Sequence, residues 1–177
     1  VRKLGFTTAR AMRVAQQLYE GVDVGGGTVG LITYMRTDSF SLAAEAIAQI
    51  RDYVKKHFDA DYLPRTPVVY KTKSKSAQEA HEAIRPTDIN RASAQVRQYL
   101  NDEQFKLYEM IWKRALACQM APAKFDAVSV DLSVGSDANL FRATGQTLVF
   151  PGFIAVYMES SDDEEEEGES KLPHLET

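Results

Sequence analysis

The 177-residue chain carries a formal net charge of −4, from 21 lysines and arginines against 25 aspartates and glutamates. This length suits one ordinary domain or two small ones, and a hydrophobic content of 44% is typical of globular proteins. No apolar run approaches the ~20 residues of a membrane-spanning helix. The single cysteine, Cys118, excludes a disulfide framework and a cysteine-rich zinc module. The first ten residues lack the apolar stretch of a signal peptide, so the sequence predicts a cytoplasmic protein.

The charges are unevenly distributed along the chain. Residues 159–177 hold nine acidic residues and one lysine, which leaves 20 bases and 16 acids, a net charge of +4, for residues 1–158. A mildly basic body is compatible with a polyanionic partner, whereas the acidic segment would repel one. A solvated surface with a disordered tail explains the same charges. Because the acidic run lacks interspersed apolar residues, we interpret it as a disordered linker.

The first part of the chain shows helical periodicity followed by one short strand. A helix is predicted to about residue 20, capped by Thr7 or Thr8 and stopped by Gly21. A glycine-rich connector then leads into residues 29–35, whose β-branched and aromatic side chains predict a short buried strand.

Four further helical segments are expected before residue 121. Ser39 or Ser41 can cap a helix that runs to about residue 58. A short helical turn is predicted over residues 77–83 and a modest helix over residues 92–100. Asn101 or Asp102 can cap a stronger helix, in which apolar side chains recur on one face.

Beyond Pro122 the hydrophobic period changes from 3.6 to 2. Valine and leucine alternate with serine and aspartate over residues 128–134, which predicts a strand with one wet face. Residues 140–144 and 147–157 predict two further strands, broken by Gly145 and by Pro151 with Gly152.

Together these elements predict a mainly α fold with a smaller antiparallel β part. We divide the chain into a helical domain over residues 1–120, a β-rich segment over residues 121–158 and the acidic linker over residues 159–177. The chain starts within a helical approach and ends after an acidic run, so we expect a fragment of a longer protein.

Tyr34 and Arg36 form the first candidate site. In an extended segment, residues i and i+2 point to the same face, so both side chains can address one ligand if the strand persists through Arg36. A phenol can attack a phosphodiester while a guanidinium binds the phosphate oxygens and offsets their growing charge. A phenol is also a better leaving group than an alkyl alcohol, which suits a reversible break. The alternative is an edge aromatic beside a surface charge.

His81 and Arg85 form the second candidate site, after a run of three lysines. The two residues are four apart, so in a helical turn they share a face that could bind phosphate. His81 has no second histidine or cysteine at ligand spacing, so a metal site is not predicted. An ordinary surface or capping histidine remains the alternative.

Two nine-residue blocks carry a resemblance to a known family. The run LITYMRTDS over residues 31–39 resembles the active-site signature of bacterial type IA DNA topoisomerases, and QEAHEAIRP over residues 78–86 resembles that family's second block. Shorter stretches over residues 15–20 and 118–123 also lie where the family has them, so the resemblance covers residues 1–157.

The resemblance implies roles for the candidate residues. Tyr34 would be the nucleophile that attacks single-stranded DNA and becomes linked to the 5′ phosphate, and Arg36 would position and neutralise that phosphate. His81 would contact DNA phosphate near the site, with Arg85 as a further DNA-binding candidate.

The remaining positions of the resemblance lie around the tyrosine. Thr37 and Asp38 would orient Arg36 and the backbone on the DNA-binding side, and Gln16 and Glu20 would line the active-site cleft. The family fold implies a winged-helix-like tyrosine domain followed by part of a β-rich arch.

The resemblance also implies parts that the sequence lacks. Family members hold Mg²⁺ on carboxylates of a separate Toprim domain, and no such acidic cluster or zinc ribbon is present in this chain. The expected partners are single-stranded or negatively supercoiled DNA and the remaining domains of a monomeric, nucleoid-associated parent enzyme. That parent would relax negative supercoils without ATP, and the fragment alone would bind no metal and be inactive. A non-catalytic single-stranded DNA-binding module and a protein-interaction fragment driven by the acidic tail are the alternatives.

Overall fold

The structure, a computed structural model, describes residues 2–70, 82–133 and 140–158. The chain separates into two compact units, Val1–Ala121 and Pro122–Thr177. The first is helical and the second contains a β-hairpin. The prediction of a mainly α fold with a smaller antiparallel β part is therefore confirmed.

Four α-helices and one small β-hairpin make up the described part of the first unit. The helices are α1 (Thr8–Glu20), α2 (Ala44–His57), α3 (Ser93–Val96) and α4 (Asp102–Ala117), and the hairpin strands are β1 (Val22–Asp23) and β2 (Thr28–Val29). Short 3-10 turns accompany them at Arg2–Leu4, Ala60–Tyr62 and Arg97–Tyr99.

The core of this unit lies between α1, α2 and α4. Each helix buries an apolar stripe, and the most deeply buried side chains include Val14, Leu18, Val54, Tyr108 and Leu116. Burying an aliphatic side chain of this size contributes about 1.5–3 kcal/mol, so these stripes account for the packing of the helices. Burial raises the pKa of the Tyr108 phenol, whose hydroxyl donates to the Arg91 carbonyl at 2.8 Å.

Two predicted helix starts are confirmed. The Thr7 hydroxyl accepts from the Arg10 amide at 3.2 Å, which caps α1. Asn101 and Gln104 form a reciprocal capping box at the start of α4. Each device satisfies amides that a helix end leaves without an intrahelical partner.

The predicted start of α2 and the predicted strand over residues 29–35 are wrong. The Ser39 hydroxyl accepts from the Ser41 amide at 3.2 Å in a local turn, and α2 begins only at Ala44. Of the strand, β2 ends at Val29, and Ile32 makes an isolated antiparallel bridge with Pro86. Local hydrogen bonding by serine competes with helix formation, and proline provides no amide to extend a ladder.

The second unit contains one long antiparallel hairpin of β3 (Lys124–Ser133) and β4 (Leu140–Phe150). The two strands predicted on either side of Gly145 are one strand, because Gly145 pairs with Val128 inside the ladder. A 3-10 turn over Gly152–Ala155 follows in place of further strand.

Between Val128 and Leu132 the hairpin has one apolar and one polar face. Val128, Val130 and Leu132 lie on one face, across the ladder from Ala143 and Phe141. The opposite face carries the ion pair between Arg142 and Asp131, whose Nε–Oδ1 distance is 2.6 Å.

Two predictions fall on residues that the structure does not describe. The helical turn predicted over residues 77–83 lies largely outside the described residues, and the acidic linker over residues 159–177 lies entirely outside them. Among the described helices, none combines the length and apolar character needed to cross a membrane.

Candidate active site

Tyr34 lies at the end of a buried, extended segment. Leu31 and Ile32 are 0% and 1% exposed, whereas Tyr34 is 43% exposed. The Leu31 amide donates to the Leu18 carbonyl of α1 at 2.7 Å, and the Thr33 amide donates to the Arg85 carbonyl at 2.9 Å. The segment is therefore anchored on both sides immediately before it presents Tyr34 to solvent.

The C-terminal end of α1 lies next to Tyr34. The rings of Tyr19 and Tyr34 meet edge to face with centroids 5.3 Å apart, a favourable aromatic geometry. The Gln16 amide donates to the Glu20 carboxylate at 2.5 Å on the same helix. The sequence reasoning missed Tyr19, although its position between Gln16 and Glu20 in the helix could have indicated it.

Arg36 follows at a bend in the chain. Met35 is buried, at 4% exposure, while Arg36 is exposed, and the backbone bends at these two residues. The alternation argument for a shared face therefore fails beyond Tyr34, because the strand does not persist. Within the described residues the Arg36 guanidinium makes no hydrogen bond or ion pair.

Thr37 and Asp38 continue the exposed loop. The Thr37 hydroxyl accepts from the Ser39 amide at 3.0 Å, and Asp38 is exposed. Neither side chain bonds Arg36 in the part of the chain that the structure describes. Their expected role in orienting Arg36 stays a prediction.

Arg85 is bound within the protein. Its Nε and one terminal nitrogen donate to the two carboxylate oxygens of Glu82, each at 2.9 Å, and another nitrogen donates to the Pro86 carbonyl at 2.9 Å. The Arg85 and Glu82 side chains are only 16% and 26% exposed. A phosphate contact by Arg85 stays a prediction, and His81 lies outside the described residues.

The charge state of Glu82 follows from its partners. Burial favours the neutral acid and would raise the pKa of Glu82, but the hydrogen bonds from Arg85 and from the Ala43 amide and the Arg85 charge outweigh that effect. The pKa of Glu82 is therefore held below its ordinary value, and the carboxylate is ionised at neutral pH.

The described residues contain no group of three or more His, Cys, Asp or Glu side chains that could hold a metal ion.

Comparisons with known proteins agree with the two sequence blocks. The sequence model of the family described as DNA topoisomerase matches residues 1–177. DNA topoisomerase 1 of Xylella fastidiosa (strain 9a5c) is 52% identical over 180 residues, which cover 99% of this chain and 22% of that relative. DNA topoisomerase 1 of Rickettsia bellii (strain RML369-C) is 50% identical over 174 residues, which cover 98% of this chain and 22% of that relative. The structure of full-length topoisomerase I from Thermotoga maritima aligns with a TM-score of 0.78 and 34% identity, covering 99% of this chain and 26% of that one.

The fold and the overall sequence are therefore those of the DNA topoisomerase family. The chain belongs to the bacterial topoisomerase I family, of type IA, as the resemblance of its two blocks implied. It spans 22% of the length of the two bacterial relatives named above.

Proposed function

We propose that this chain is the tyrosine-bearing central part of a type IA DNA topoisomerase that breaks and reseals one DNA strand. The Tyr34 oxygen forms a bond to phosphorus while the bond from phosphorus to the 3′ oxygen breaks. The phenol gives up its proton, and the departing 3′ oxygen takes one up. Attack by that 3′ hydroxyl on the phosphotyrosine reverses each bond change and releases Tyr34, so no ATP is consumed.

The observation that carries this proposal is the exposure of Tyr34 at the end of a firmly held segment. The preceding Leu31 and Ile32 are buried, which fixes the backbone, and Tyr34 is 43% exposed, which leaves its ring accessible to DNA. A nucleophile held in this way loses little freedom when it reacts.

Arg36 is the proposed phosphate-binding residue. Its guanidinium is exposed and makes no bond to any described residue, so binding a phosphate costs no internal ion pair. Thr37 and Asp38 are proposed to shape the same loop. His81 and Arg85 remain DNA-binding candidates, and Gln16 and Glu20 are proposed to line the cleft beside Tyr19.

We further propose how the chain is divided into domains and which components of the reaction come from other parts of the enzyme. Residues 1–120 would form the winged-helix-like tyrosine domain, residues 121–158 part of the β-rich arch and residues 159–177 a linker. Magnesium and the acid that protonates the 3′ oxygen would come from another part of a monomeric parent enzyme, which acts on single-stranded or negatively supercoiled DNA in the bacterial cytoplasm, at the nucleoid. The chain alone would then bind DNA without cleaving it.

A chimera tests this function. Residues 1–157 replace the matching segment of the Xylella fastidiosa relative, and the product is assayed for relaxation of negatively supercoiled plasmid with magnesium. We expect relaxation and a trapped covalent DNA adduct, both lost in Tyr34→Phe because the phenylalanine ring has no nucleophilic oxygen. Tyr99→Phe, which removes a hydroxyl elsewhere in the unit, is the matched control and should retain activity.

The alternative is a non-catalytic module that binds single strands, and one observation favours it. Tyr19 and Tyr34 are in ring contact and are 40% and 43% exposed, so they offer an aromatic platform on which bases could stack. A chimera that folds and binds an oligonucleotide but never forms the adduct would support the module against the enzyme.

A further inference from the structure

Glu82 joins two segments that flank the candidate active site. One of its oxygens accepts from the Ala43 amide at 2.7 Å and from Arg85 Nε at 2.9 Å, and its other oxygen accepts from a terminal nitrogen of Arg85. Ala43 precedes α2 directly and follows Arg36 by seven residues. The carboxylate therefore links Ala43, which follows the loop that contains Arg36, to the segment that carries Arg85.

The segment with Arg85 in turn holds the residue before Tyr34. The Thr33 hydroxyl donates to the Ala83 carbonyl at 2.9 Å and accepts from the Arg85 amide at 3.0 Å. The Thr33 amide donates to the Arg85 carbonyl at 2.9 Å. These hydrogen bonds connect a single residue, Thr33, to the segment that contains Glu82 and Arg85.

A further hydrogen bond connects the same segment to the chain that follows Arg36. The Ala83 amide donates to the Ser41 carbonyl at 2.8 Å, beside the bond from Ala43 to Glu82. Residues 34–40, which include Tyr34 and Arg36, are therefore bracketed by Thr33 and Ser41, both bonded to the same short segment, residues 83–85. The exposed part of the site is a loop fixed at both ends.

We propose that Glu82, acting with Arg85, is a positioning residue that sets the geometry of Tyr34 relative to Arg36. The pair acts through the hydrogen bonds of its own segment to Thr33, Ser41 and Ala43. This inference rests on the proposed function, since it assigns a role within the same cleavage reaction. A bidentate arginine–carboxylate pair suits this purpose because its planar geometry fixes direction as well as distance.

The test uses the chimera described above, with Glu82→Gln and Glu82→Ala. Both variants should keep single-stranded oligonucleotide affinity within about twofold, because the DNA-facing side chains remain, while the cleavage rate falls at least tenfold in the alanine variant. Glutamine retains the shape of the side chain and one acceptor oxygen, so the cleavage rate should fall less in Glu82→Gln than in Glu82→Ala. Arg85→Ala should lower the cleavage rate at least as much as Glu82→Ala, since it also removes a candidate DNA contact, and the double variant should fall little below Arg85→Ala, because the pair acts as a unit.

Glu109→Ala is the matched control, since it removes a carboxylate paired with Lys113 at 3.1 Å on α4. Its cleavage rate should equal that of the parent chimera. If Glu82→Ala does not fold, Glu82→Gln alone provides the test. An active chimera whose cleavage is unchanged in the folded Glu82 variants would overturn the positioning role, as would equal losses of affinity and cleavage rate. A parent chimera without Tyr34-dependent cleavage would instead refute the proposed function.

Discussion

At the scale of single residues, the contact between α1 and the segment leading to Tyr34 is unusually close. A Cβ atom at Gly30 would lie 2.6 Å from the Tyr19 carbonyl oxygen, which is backbone and cannot rotate away. The next residue, Leu31, donates its amide to Leu18 at 2.7 Å. Glycine at position 30 therefore permits the approach that places the rings of Tyr19 and Tyr34 in contact.

Gly30→Ala is expected to destabilise the first unit by about 1–3 kcal/mol, the usual cost of forcing extra atoms into a packed site. Urea unfolding followed by circular dichroism measures this change. Gly26→Ala is the control, because a Cβ there meets nothing within 4 Å, and it should be neutral or slightly stabilising. Equal stability of the two variants would contradict the close-approach argument.

At the scale of elements, the start of α2 depends on a residue distant in sequence. The Ala43 amide at the helix N-terminus is satisfied by Glu82, 39 positions along the chain. A carboxylate is favourable at this end because it also interacts with the helix dipole. The serines upstream offered a local cap, and the sequence alone could not indicate that a remote glutamate takes its place.

The free energy of unfolding should therefore depend on the charge of Glu82. Since its pKa in the folded chain lies below the ordinary value of 4.5, the folded state binds this proton less readily than the unfolded state does. The stabilisation is present above pH 4.5 and is lost as the pH falls through the lower folded-state pKa. Thermal unfolding from pH 5.5 downward should show a weaker pH dependence in Glu82→Gln than in the parent chain. Glu109→Gln is the control, and a slope unchanged in Glu82→Gln would disprove the coupling.

The predictability of each element follows the range of its interactions. The capped helices α1 and α4 were predictable because threonine, asparagine and a 3.6-residue apolar period act locally. Tyr34 and Arg36 were selected by their chemistry and by family resemblance. Their anchoring was not predictable, because it depends on the pairing of Ile32 with Pro86, 54 positions apart, and on the bond from Ala43 to Glu82, 39 positions apart.

At the scale of the whole molecule, pattern and environment differ in the long hairpin. Alternation over residues 128–134 predicted one dry face, and the register does place Val128, Val130 and Leu132 together. Yet Leu132 is 54% exposed and Phe141, its partner across the ladder, is 62% exposed. A binary pattern specifies which face is apolar but does not specify what covers it.

The uneven distribution of charge along the whole chain should affect DNA binding. Removing residues 159–177, with a net charge of −8, changes the chain from −4 to +4. We expect tighter binding of a labelled single-stranded oligonucleotide after this truncation, measured by fluorescence anisotropy. If about three phosphates are neutralised, affinity should fall about 20-fold between 50 and 200 mM salt. A tail with its acids changed to amides separates charge from length, and salt-independent binding would refute a phosphate-based interface.

The bond between Leu18 and Leu31 has a consequence for how the chain can vary in length. It joins the two ends of an excursion that contains β1 and β2, so the turn over Val24–Gly27 can grow or shrink without moving the point where the chain re-enters the core. Doubling the length of a flexible loop costs only about 0.6 kcal/mol. The turn is open to solvent at Gly26. Insertions are therefore tolerated at this position, where added residues would lie on the β1–β2 hairpin between Tyr19 and Tyr34.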